Sequence, residues 1–255
     1  MLKKWLAHPL THGLDINDPK TTGLRRRIIR EKEFLRLLYE EWYTGIAGAL
    51  PVGAGPILEL GSGAGFLKDF IPGLITSEIF PLADMDVVLD GQELPLAPDI
   101  LGGIVMIDVL HHMPQPRRFF AEARRCLKSG GVIIMIEPWV TDWSKLIYRW
   151  LHQEPFLPGA TSWEFPSGGP LSGANAALPW IVFARDMVKF QNDFPQLKIR
   201  KISLTMPFRY LLSGGVSMKS LSPAWTFGLW RRLEEALKPL MGRLAMFAQI
   251  ELVKI

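Results

Sequence analysis

The sequence predicts an α/β fold in which helices flank a doubly wound sheet of parallel strands. Short apolar runs alternate with helical segments from residue 51 onward, which is typical of strands joined by crossover helices. Hydrophobic residues occupy 48% of the 255 positions, so the chain can bury one large core. We therefore expect a single domain over residues 1–255.

Residues 1–50 are predicted to form an N-terminal helical arm. Between residues 22 and 50, apolar side chains recur at helical spacing, with Thr22 as the expected N-cap and Pro51 ending the helix. The basic run at residues 25–30 is expected to form a solvated face of this helix. Residues 1–15 lack a sustained apolar run after their two lysines, so a signal peptide is not expected.

The next part of the chain is predicted to alternate strands and helices. A glycine-rich turn and a helix should follow the first strand. A second helix is expected at residues 116–127, with a cap and a turn at residues 128–131. The apolar runs that predict buried parallel strands lie at residues 57–60, 74–75, 87–89, 104–107 and 132–136.

An insertion rich in Trp, Pro, Gly and Ser interrupts this alternation at about residues 139–180. Loops of that length in a compact domain usually form lids or binding segments. Seven of the nine tryptophans lie beyond residue 138, which favours an apolar pocket or a membrane-facing surface in this half. The alternation then resumes, with helices expected at residues 181–191 and 223–240 and strands at residues 198–204 and 245–253.

Composition excludes several classes of protein. The formal net charge is only +4 and the basic residues are clustered, so a nucleic-acid partner is not favoured. The lone cysteine, Cys126, excludes an internal disulfide framework and a CxxC metal site, and it fits a reducing, cytoplasmic compartment. No window has the length and apolarity of a transmembrane helix. Nothing in the sequence indicates an oligomeric state.

The segment ILELGSGAGF, residues 57–66, predicts a cofactor site. Its glycines, Gly61, Gly63 and Gly65, form a G-x-G-x-G turn. Dinucleotide folds use G-x-G-x-x-G, and Phe66 occupies the position of the third glycine in that pattern. Glu59, inside the strand, would repel a pyrophosphate. The carboxylate suits a cofactor that carries an ammonium and a sulfonium.

This segment resembles motif I of the class I S-adenosylmethionine-dependent methyltransferases, specifically the methyltransferase type 11-like family. Three later segments resemble further motifs of that family in the same order, at residues 74–81, 86–96 and 103–138. The resemblance implies a Rossmann-like, seven-stranded, mostly parallel sheet with an antiparallel last strand, residues 245–253, inserted as an edge hairpin strand. It also implies a cofactor-binding half at residues 51–138 and an acceptor-binding half at residues 139–255.

The resemblance assigns S-adenosyl-L-methionine as the cofactor and gives roles to individual residues. Glu78 ends the second strand and would bind the ribose hydroxyls, while Asp90 would take the adenine amino group. The methyl group would be presented between Gly61 and Asp108, at the ends of the first and fourth strands. The full set of expected cofactor-binding residues is Glu59, Gly61, Ser62, Gly63, Gly65, Glu78, Asp90, Gln92, Glu93, Leu94, Asp108 and His111.

Each of these assignments has a structural alternative. The glycines could serve only a tight turn, Glu59 could pair with a basic neighbour, and Asp90 could cap the turn that follows it. His111 is interpreted as shaping the cofactor pocket. Adjacent histidines cannot both face one pocket on a regular element, so at most one of His111 and His112 is expected in the site.

Three residues are candidates for proton transfer on the acceptor side: His152, which lies near Glu154, together with His111 and Glu137. Glu137 is expected to face the crevice at the end of the fifth strand. A metal is not expected, because no third ligand lies at a suitable spacing from the histidines. An oxygen acceptor of high pKa would need a base, whereas an enolate-like carbon or an ionised phenol would not.

The sequence thus predicts an enzyme that methylates a small-molecule acceptor. A basic, Trp-rich acceptor half favours an amphipathic or lipid-linked acceptor and peripheral contact with a membrane. Two alternatives remain open. One is a non-catalytic protein that binds S-adenosylmethionine on the same scaffold, and the other is an NAD-dependent oxidoreductase.

Overall fold

The structure is a computed structural model that describes residues 18–53, 55–151, 154–166, 169 and 173–255. Its strands are β1 (Ile57–Leu60), β2 (Ile75–Glu78), β3 (Val87–Val88), β4 (Leu101–Ile107), β5 (Leu127–Pro138), β6 (Leu197–Thr205) and β7 (Phe247–Lys254). They form one seven-stranded sheet in the order β3-β2-β1-β4-β5-β7-β6.

The direction of the strands confirms the predicted doubly wound sheet. Strands β1 to β5 pair in parallel, whereas β7 pairs antiparallel with both β5 and β6. The antiparallel last strand is therefore confirmed, but its expected position at the edge is wrong. Strand β7 lies between β5 and β6, and β6 forms the edge.

Strand β5 begins earlier than the sequence predicts. The preceding helix ends at Cys126, and residues 128–131 continue β5 instead of forming a cap and turn. Gly130 has a φ of 79°, and the register between β4 and β5 shifts between Leu101 and Gly103. The Gly-Gly pair therefore accommodates a bulge at the exposed start of the strand.

The N-terminal arm contains two helices, α1 (Pro19–Glu31) and α2 (Glu33–Ala49), where the sequence predicts one. The break lies at Lys32, whose Nζ donates to the carbonyl oxygens of Gly215 and Met218 at 2.6 and 2.8 Å. Asp18, and not Thr22, caps α1, because its side chain accepts from the Lys20 amide at 2.9 Å. Thr22 is instead a buried residue of the first helix.

The glycine-rich turn is followed by a single 3₁₀ turn, Leu67–Asp69, and the α-helix predicted there is absent from this described segment. Helix α2 packs against the segment instead. The Tyr43 hydroxyl accepts from the Phe66 amide at 3.0 Å, and the two rings meet edge to face with centroids 4.8 Å apart. The same helix shares a buried core with β1, β4 and β5, so the arm covers one face of the sheet.

The helical segments within residues 116–126 and 178–193 cover the other face of the sheet. The core on that face includes the aromatic side chains of Phe119, Phe120, Phe183, Phe190 and the insertion residue Trp163. The predicted helices at residues 181–191 and 223–240 each occur as several shorter segments. The helical elements are α3 (Pro116–Cys126), α4 (Asp142–Leu151), α5 (Leu178–Trp180), a π-helical segment (Ile181–Arg185), α6 (Met187–Asp193), α7 (Arg209–Ser213), α8 (Phe227–Ala236) and α9 (Met241–Leu244), with 3₁₀ turns at Leu110–His112, Ala224–Thr226 and Lys238–Leu240.

The described helices do not include one with both the length and the apolar character needed to cross a membrane.

Candidate cofactor and acceptor site

A cavity of about 550 Å³ opens at the carboxyl ends of β1, β2 and β4. Strand order reverses between β1 and β4, and in open α/β sheets this is where ligands bind. The arm and the acceptor half close the cavity from the other sides. Of the expected cofactor-binding residues, those that line it are Glu59, Gly61, Ser62, Gly63, Gly65, Glu78, Asp90, Gln92, Asp108 and His111.

The glycine turn forms the floor of the cavity. Gly61 and Gly63 have φ values of 66° and 25°, which residues other than glycine rarely adopt. A Cβ atom on Gly63 would lie 2.9 Å from Oε2 of Glu78, and one on Gly61 would lie 2.5 Å from Cγ2 of Val109. Ser62 ties the turn to β2, because its hydroxyl accepts from the Ser77 amide at 3.1 Å. The turn is therefore held rigidly against the two neighbouring strands.

Two buried carboxyl groups face the cavity beside this turn. Burial raises the pKa of Glu59 to about 7; a hydrogen bond from Ser62 opposes this rise and the charge of Glu78 adds to it. Burial also raises the pKa of Glu78, whose Oε1 accepts from the Ile79 amide at 2.9 Å. A cationic or hydroxyl-bearing ligand would stabilise the ionised form of both groups.

Some of the predicted residues in segment 86–96 line the cavity and others do not. Asp90 and Gln92 line it, and Asp90 also accepts from the Gln92 amide at 2.8 Å, so it caps the turn as well. The side chain of Glu93 is 83% exposed and pairs with Arg118, while Leu94 belongs to the core. The geometry therefore does not support a contact of Glu93 or Leu94 with a base.

Asp108 lies at the end of β4 with a φ of 56°, an uncommon value for a residue with a side chain. This backbone turn directs the residue to the cavity wall. Burial raises the pKa of Asp108 to about 7, with His111 opposing the rise and Glu137 and Glu154 adding to it.

Glu137 is fully buried and does not line the cavity, although the sequence suggested that it faces the crevice. Its Oε1 accepts from the amides of Val109 and Leu110 at 2.9 and 2.7 Å, and its Oε2 lies 2.7 Å from Nδ1 of His111. Glu137 therefore fixes the turn that carries the histidines. Burial would lower the pKa of His111, but Glu137 and Glu154 together raise it well above the ordinary value.

Both histidines line the cavity, so the expectation that at most one could do so is wrong. They lie on the 3₁₀ turn Leu110–His112, where the alternation of a strand does not apply, and their ring centroids are 4.3 Å apart. Burial lowers the pKa of His112 to about 4, with His111 adding to this effect. Glu154 approaches both rings, so a third potential ligand exists and the argument against a metal fails.

Two groups of cavity residues escaped the sequence prediction. The arm contributes Thr22, Arg25 and Ile29, whose i, i+3, i+7 spacing places them on one helical face and could have revealed them. The acceptor half contributes an aromatic wall of Tyr148, Tyr210 and Phe247. These come together only through tertiary structure. His152, the other predicted proton acceptor, lies outside the described residues.

The basic run of the arm is not simply a solvated face. A guanidinium nitrogen of Arg26 donates to the Gly63 carbonyl at 2.9 Å, and the Arg30 guanidinium lies 5.2 Å from the centroid of the Phe66 ring. Arg27 behaves as predicted, in an exposed pair with Glu31, and the side chain of Arg30 is also largely exposed. The arm is therefore attached to the glycine turn that it covers.

Comparison with known proteins is consistent with this geometry. Residues 76–135 match the family model described as Methyltransferase domain. The geranyl diphosphate C-methyltransferase of Streptomyces coelicolor A3(2) shares 13% identity, with 98% of this chain and 89% of that chain covered and a TM-score of 0.51. No curated protein matches the sequence.

Two further solved structures have lower TM-scores. A geranyl diphosphate methyltransferase in complex with S-adenosylmethionine shares 15% identity over 98% of this chain and 96% of that one, with a TM-score of 0.48. The YcgJ protein of Bacillus subtilis shares 13% over 84% and 98%, with a TM-score of 0.47. The sheet order and the structural similarity show that the chain has the fold of the class I S-adenosylmethionine-dependent methyltransferases, and residues 76–135 match a methyltransferase-domain model.

Proposed function

We propose that the protein transfers a methyl group from S-adenosylmethionine to a small-molecule acceptor. The observation that carries this proposal is the rigid glycine turn beside two buried carboxyl groups, Glu59 and Glu78, at the reversal of strand order. A pyrophosphate would be repelled there, whereas a ligand with an ammonium group and ribose hydroxyls would be stabilised.

The cofactor would lie along the floor of the cavity. The turn residues Gly61, Ser62, Gly63 and Gly65 would hold the amino-acid part of the cofactor, with Glu59 near its ammonium group. Glu78 would accept hydrogen bonds from the ribose hydroxyls, since it lies at the end of β2. Asp90 and Gln92 would bind the adenine, and Asp108 and His111 would lie near the methyl group.

The acceptor would enter from the opposite side, between the aromatic wall and the two histidines. The rings of Tyr210 and Phe247 lie 4.6 Å apart, and Tyr148 stacks on Phe156 at 4.7 Å. This wall suits an apolar body, while His111 and His112 suit a polar group at one end. The pairing favours an amphipathic small molecule as the acceptor.

Methyl transfer from a sulfonium is an in-line displacement, so catalysis can come largely from holding the acceptor close to the methyl carbon and excluding water. We assign Glu137 a positioning role, because its carboxylate holds the turn that carries the histidines. His111 would contact the polar group of the acceptor. Its Nδ1 lies 2.7 Å from Oε2 of Glu137, so Nε2 is the atom that would face the acceptor.

Calorimetric titration with S-adenosylmethionine, S-adenosylhomocysteine and NAD tests the proposal. We expect both sulfur nucleosides to bind and NAD not to bind. Gly63→Ala should weaken that binding by about tenfold or more, because the new Cβ meets Glu78 and the φ is strained. Gly73→Ala is the matched control, since Gly73 has a φ of 76° and a Cβ there meets no atom within 4 Å.

A preference for NAD would overturn the proposal, as would equal losses of binding in the two glycine variants. If the sulfur nucleosides bind but no acceptor from a broad panel of small amphipathic molecules yields S-adenosylhomocysteine, the non-catalytic alternative is favoured.

We also propose that one face of helix α8, together with Trp225 of the 3₁₀ turn that precedes it, contacts an anionic membrane surface. Trp225, Leu229 and Leu233 follow each other at intervals of four residues and are 82%, 66% and 42% exposed. Arg232 lies on the same face, and Lys238 and Arg243 follow, all with exposed side chains. An apolar stripe with a basic border is typical of helices that lie in a membrane interface.

A further inference from the structure

His111, His112 and Glu154 converge on one point of the cavity wall. Nε2 of His111 lies 3.3 Å from Oε2 of Glu154, and Nε2 of His112 lies 3.7 Å from Oε1 of the same carboxylate. The ligand atoms of the three residues all lie within 4.8 Å of one another. Two imidazole nitrogens and a carboxylate thus face a common centre.

The Nδ1 atom of each ring already has a hydrogen-bond partner. Nδ1 of His112 lies 3.1 Å from the Gly173 carbonyl, which can only accept, so this nitrogen carries the proton and Nε2 presents a lone pair. Nδ1 of His111 lies 2.7 Å from Oε2 of Glu137 in the same way. Histidines that bind metals typically donate their second N–H to a carboxylate or a backbone carbonyl, which fixes the tautomer and the ring orientation. Both rings show this arrangement.

The distances to Glu154 are poor for hydrogen bonds. A charge-assisted N–H···O contact is usually about 2.7–2.9 Å long, and a contact of 3.7 Å is not a hydrogen bond. Ligands that each lie about 2.0–2.2 Å from a zinc-like ion are separated from one another by roughly 3.0–3.5 Å. The separations of 3.3 and 3.7 Å are therefore closer to those of neighbouring metal ligands.

We propose that His111, His112 and Glu154 bind a divalent first-row transition-metal ion, such as Zn²⁺, on the acceptor side of the cavity. Imidazole donors select such ions over Mg²⁺ and Ca²⁺, which prefer all-oxygen sites. Three protein ligands leave at least one coordination position open to the cavity. A second grouping, Asp108, His111 and Glu137, is less suitable, because the oxygens of Glu137 already accept three hydrogen bonds.

The role that we assign to this ion rests on the proposed function, methyl transfer. An oxygen atom of the acceptor would occupy the open position, which would orient it toward the methyl group and lower the pKa of a bound hydroxyl. The metal would then replace the base that an alcohol acceptor requires, and the acceptor would be an oxygen nucleophile.

Metal binding is tested on the full-length protein after treatment with a chelator and dialysis. Calorimetric titration with ZnCl₂, CoCl₂ and MgCl₂ should show one site for Zn²⁺ and Co²⁺ and much weaker binding of Mg²⁺. The variants Glu154→Gln and His112→Gln should each lose more than about tenfold in Zn²⁺ affinity. Glu164→Gln, in the same insertion, is the matched control and should bind as the original protein does, since Glu164 pairs with Arg117 away from the cavity.

Circular dichroism and S-adenosylhomocysteine titration of each variant show whether it is folded. Absence of a stoichiometric Zn²⁺ site, or undiminished affinity in both ligand variants, would overturn the metal proposal. If Zn²⁺ binds as expected but S-adenosylhomocysteine does not, the metal site stands and the proposed methyl transfer fails, so the two failures are distinguishable.

Discussion

Glu59 combines full burial with a place in the cavity wall. A carboxyl group whose pKa is raised by burial binds a proton in the folded protein at pH values where it is ionised in the unfolded chain. For Glu59 this window extends from about 4.5, the ordinary value, to about 7. Ionisation of Glu59 therefore destabilises the cofactor-free fold progressively as pH rises through the window.

An ammonium group next to Glu59 would stabilise its ionised form. We therefore expect the affinity for S-adenosylhomocysteine to increase as pH rises toward 7 and to level off above it. The slope contributed by this one group is at most about tenfold per pH unit, because one proton is released per ligand bound. Glu59→Gln should bind more weakly and lose that slope. Calorimetric affinities across this pH range measure both effects.

Asp108 also has a pKa of about 7, but both the original protein and the Glu59→Gln variant contain it. The difference between their two pH profiles therefore measures the contribution of Glu59. Parallel profiles would show that the ammonium group does not contact Glu59.

Among the helices, Arg209 on α7 joins three elements through one buried guanidinium. It donates to Glu234 of α8 at 2.6 Å and to Glu41 of α2 at 2.7 and 2.8 Å, and it lies 4.9 Å from the centroid of the Phe227 ring. Glu234 is 5% exposed on its side chain, so removal of the cation leaves a buried carboxylate without its counter-charge. The network therefore links the arm to the acceptor half.

Arg209→Met should lower the free energy of unfolding by about 3–5 kcal/mol, the usual cost of breaking a buried ion pair from one side. Arg27→Met is the matched control, because Arg27 and Glu31 form an exposed pair whose loss should leave the free energy of unfolding nearly unchanged. Urea unfolding measures both. Similar losses in the two variants would show that the Arg209 network does not stabilise the arm.

The elements differ in how well the sequence predicts them, for a physical reason. Strands β1, β2 and β4 are specified by short-range patterns, and their presence is confirmed, although β2 and β4 are longer than the apolar runs that predict them. The break at Lys32 depends on carbonyls 183 and 186 residues away, which helical periodicity cannot reveal. The absent helix after the turn has the same kind of cause, because Tyr43 of the arm binds the Phe66 amide.

In the candidate site, too, residues in local motifs could be predicted and residues brought together by long-range contacts could not. Glu59 and Gly63 belong to a local motif and could be identified from spacing, and Glu78 could be identified from the resemblance of a local segment to a known family. The convergence of His112 with Glu154 could not, because it needs a 3₁₀ turn and an insertion that folds back across 42 residues of chain. Residues contributed by distant segments are therefore the ones that sequence reasoning missed.

On the scale of the whole molecule, charge and apolar surface are unevenly distributed. The net charge is +4, and the exposed stripe of Trp225, Leu229 and Leu233 lies opposite the buried Glu234 of α8. The buried side anchors the helix through Arg209, so the outer side is presented rigidly to the surroundings. A rigid apolar stripe can enter a membrane interface without a large cost in conformational entropy.

We therefore expect the protein to sediment with vesicles that contain phosphatidylserine, and less with vesicles of phosphatidylcholine alone. Added salt should weaken the interaction, because it screens the basic border of the stripe. Replacement of Trp225 and Leu229 by serine should release most of the bound protein, since their apolar area supplies the insertion energy. Val188→Ser on α6 is the control, because Val188 is also exposed, at 67%, but lies outside the stripe. Equal loss in the two variants would assign the binding to general hydrophobicity, and binding that is insensitive to lipid charge would exclude an anionic surface as the partner of helix α8.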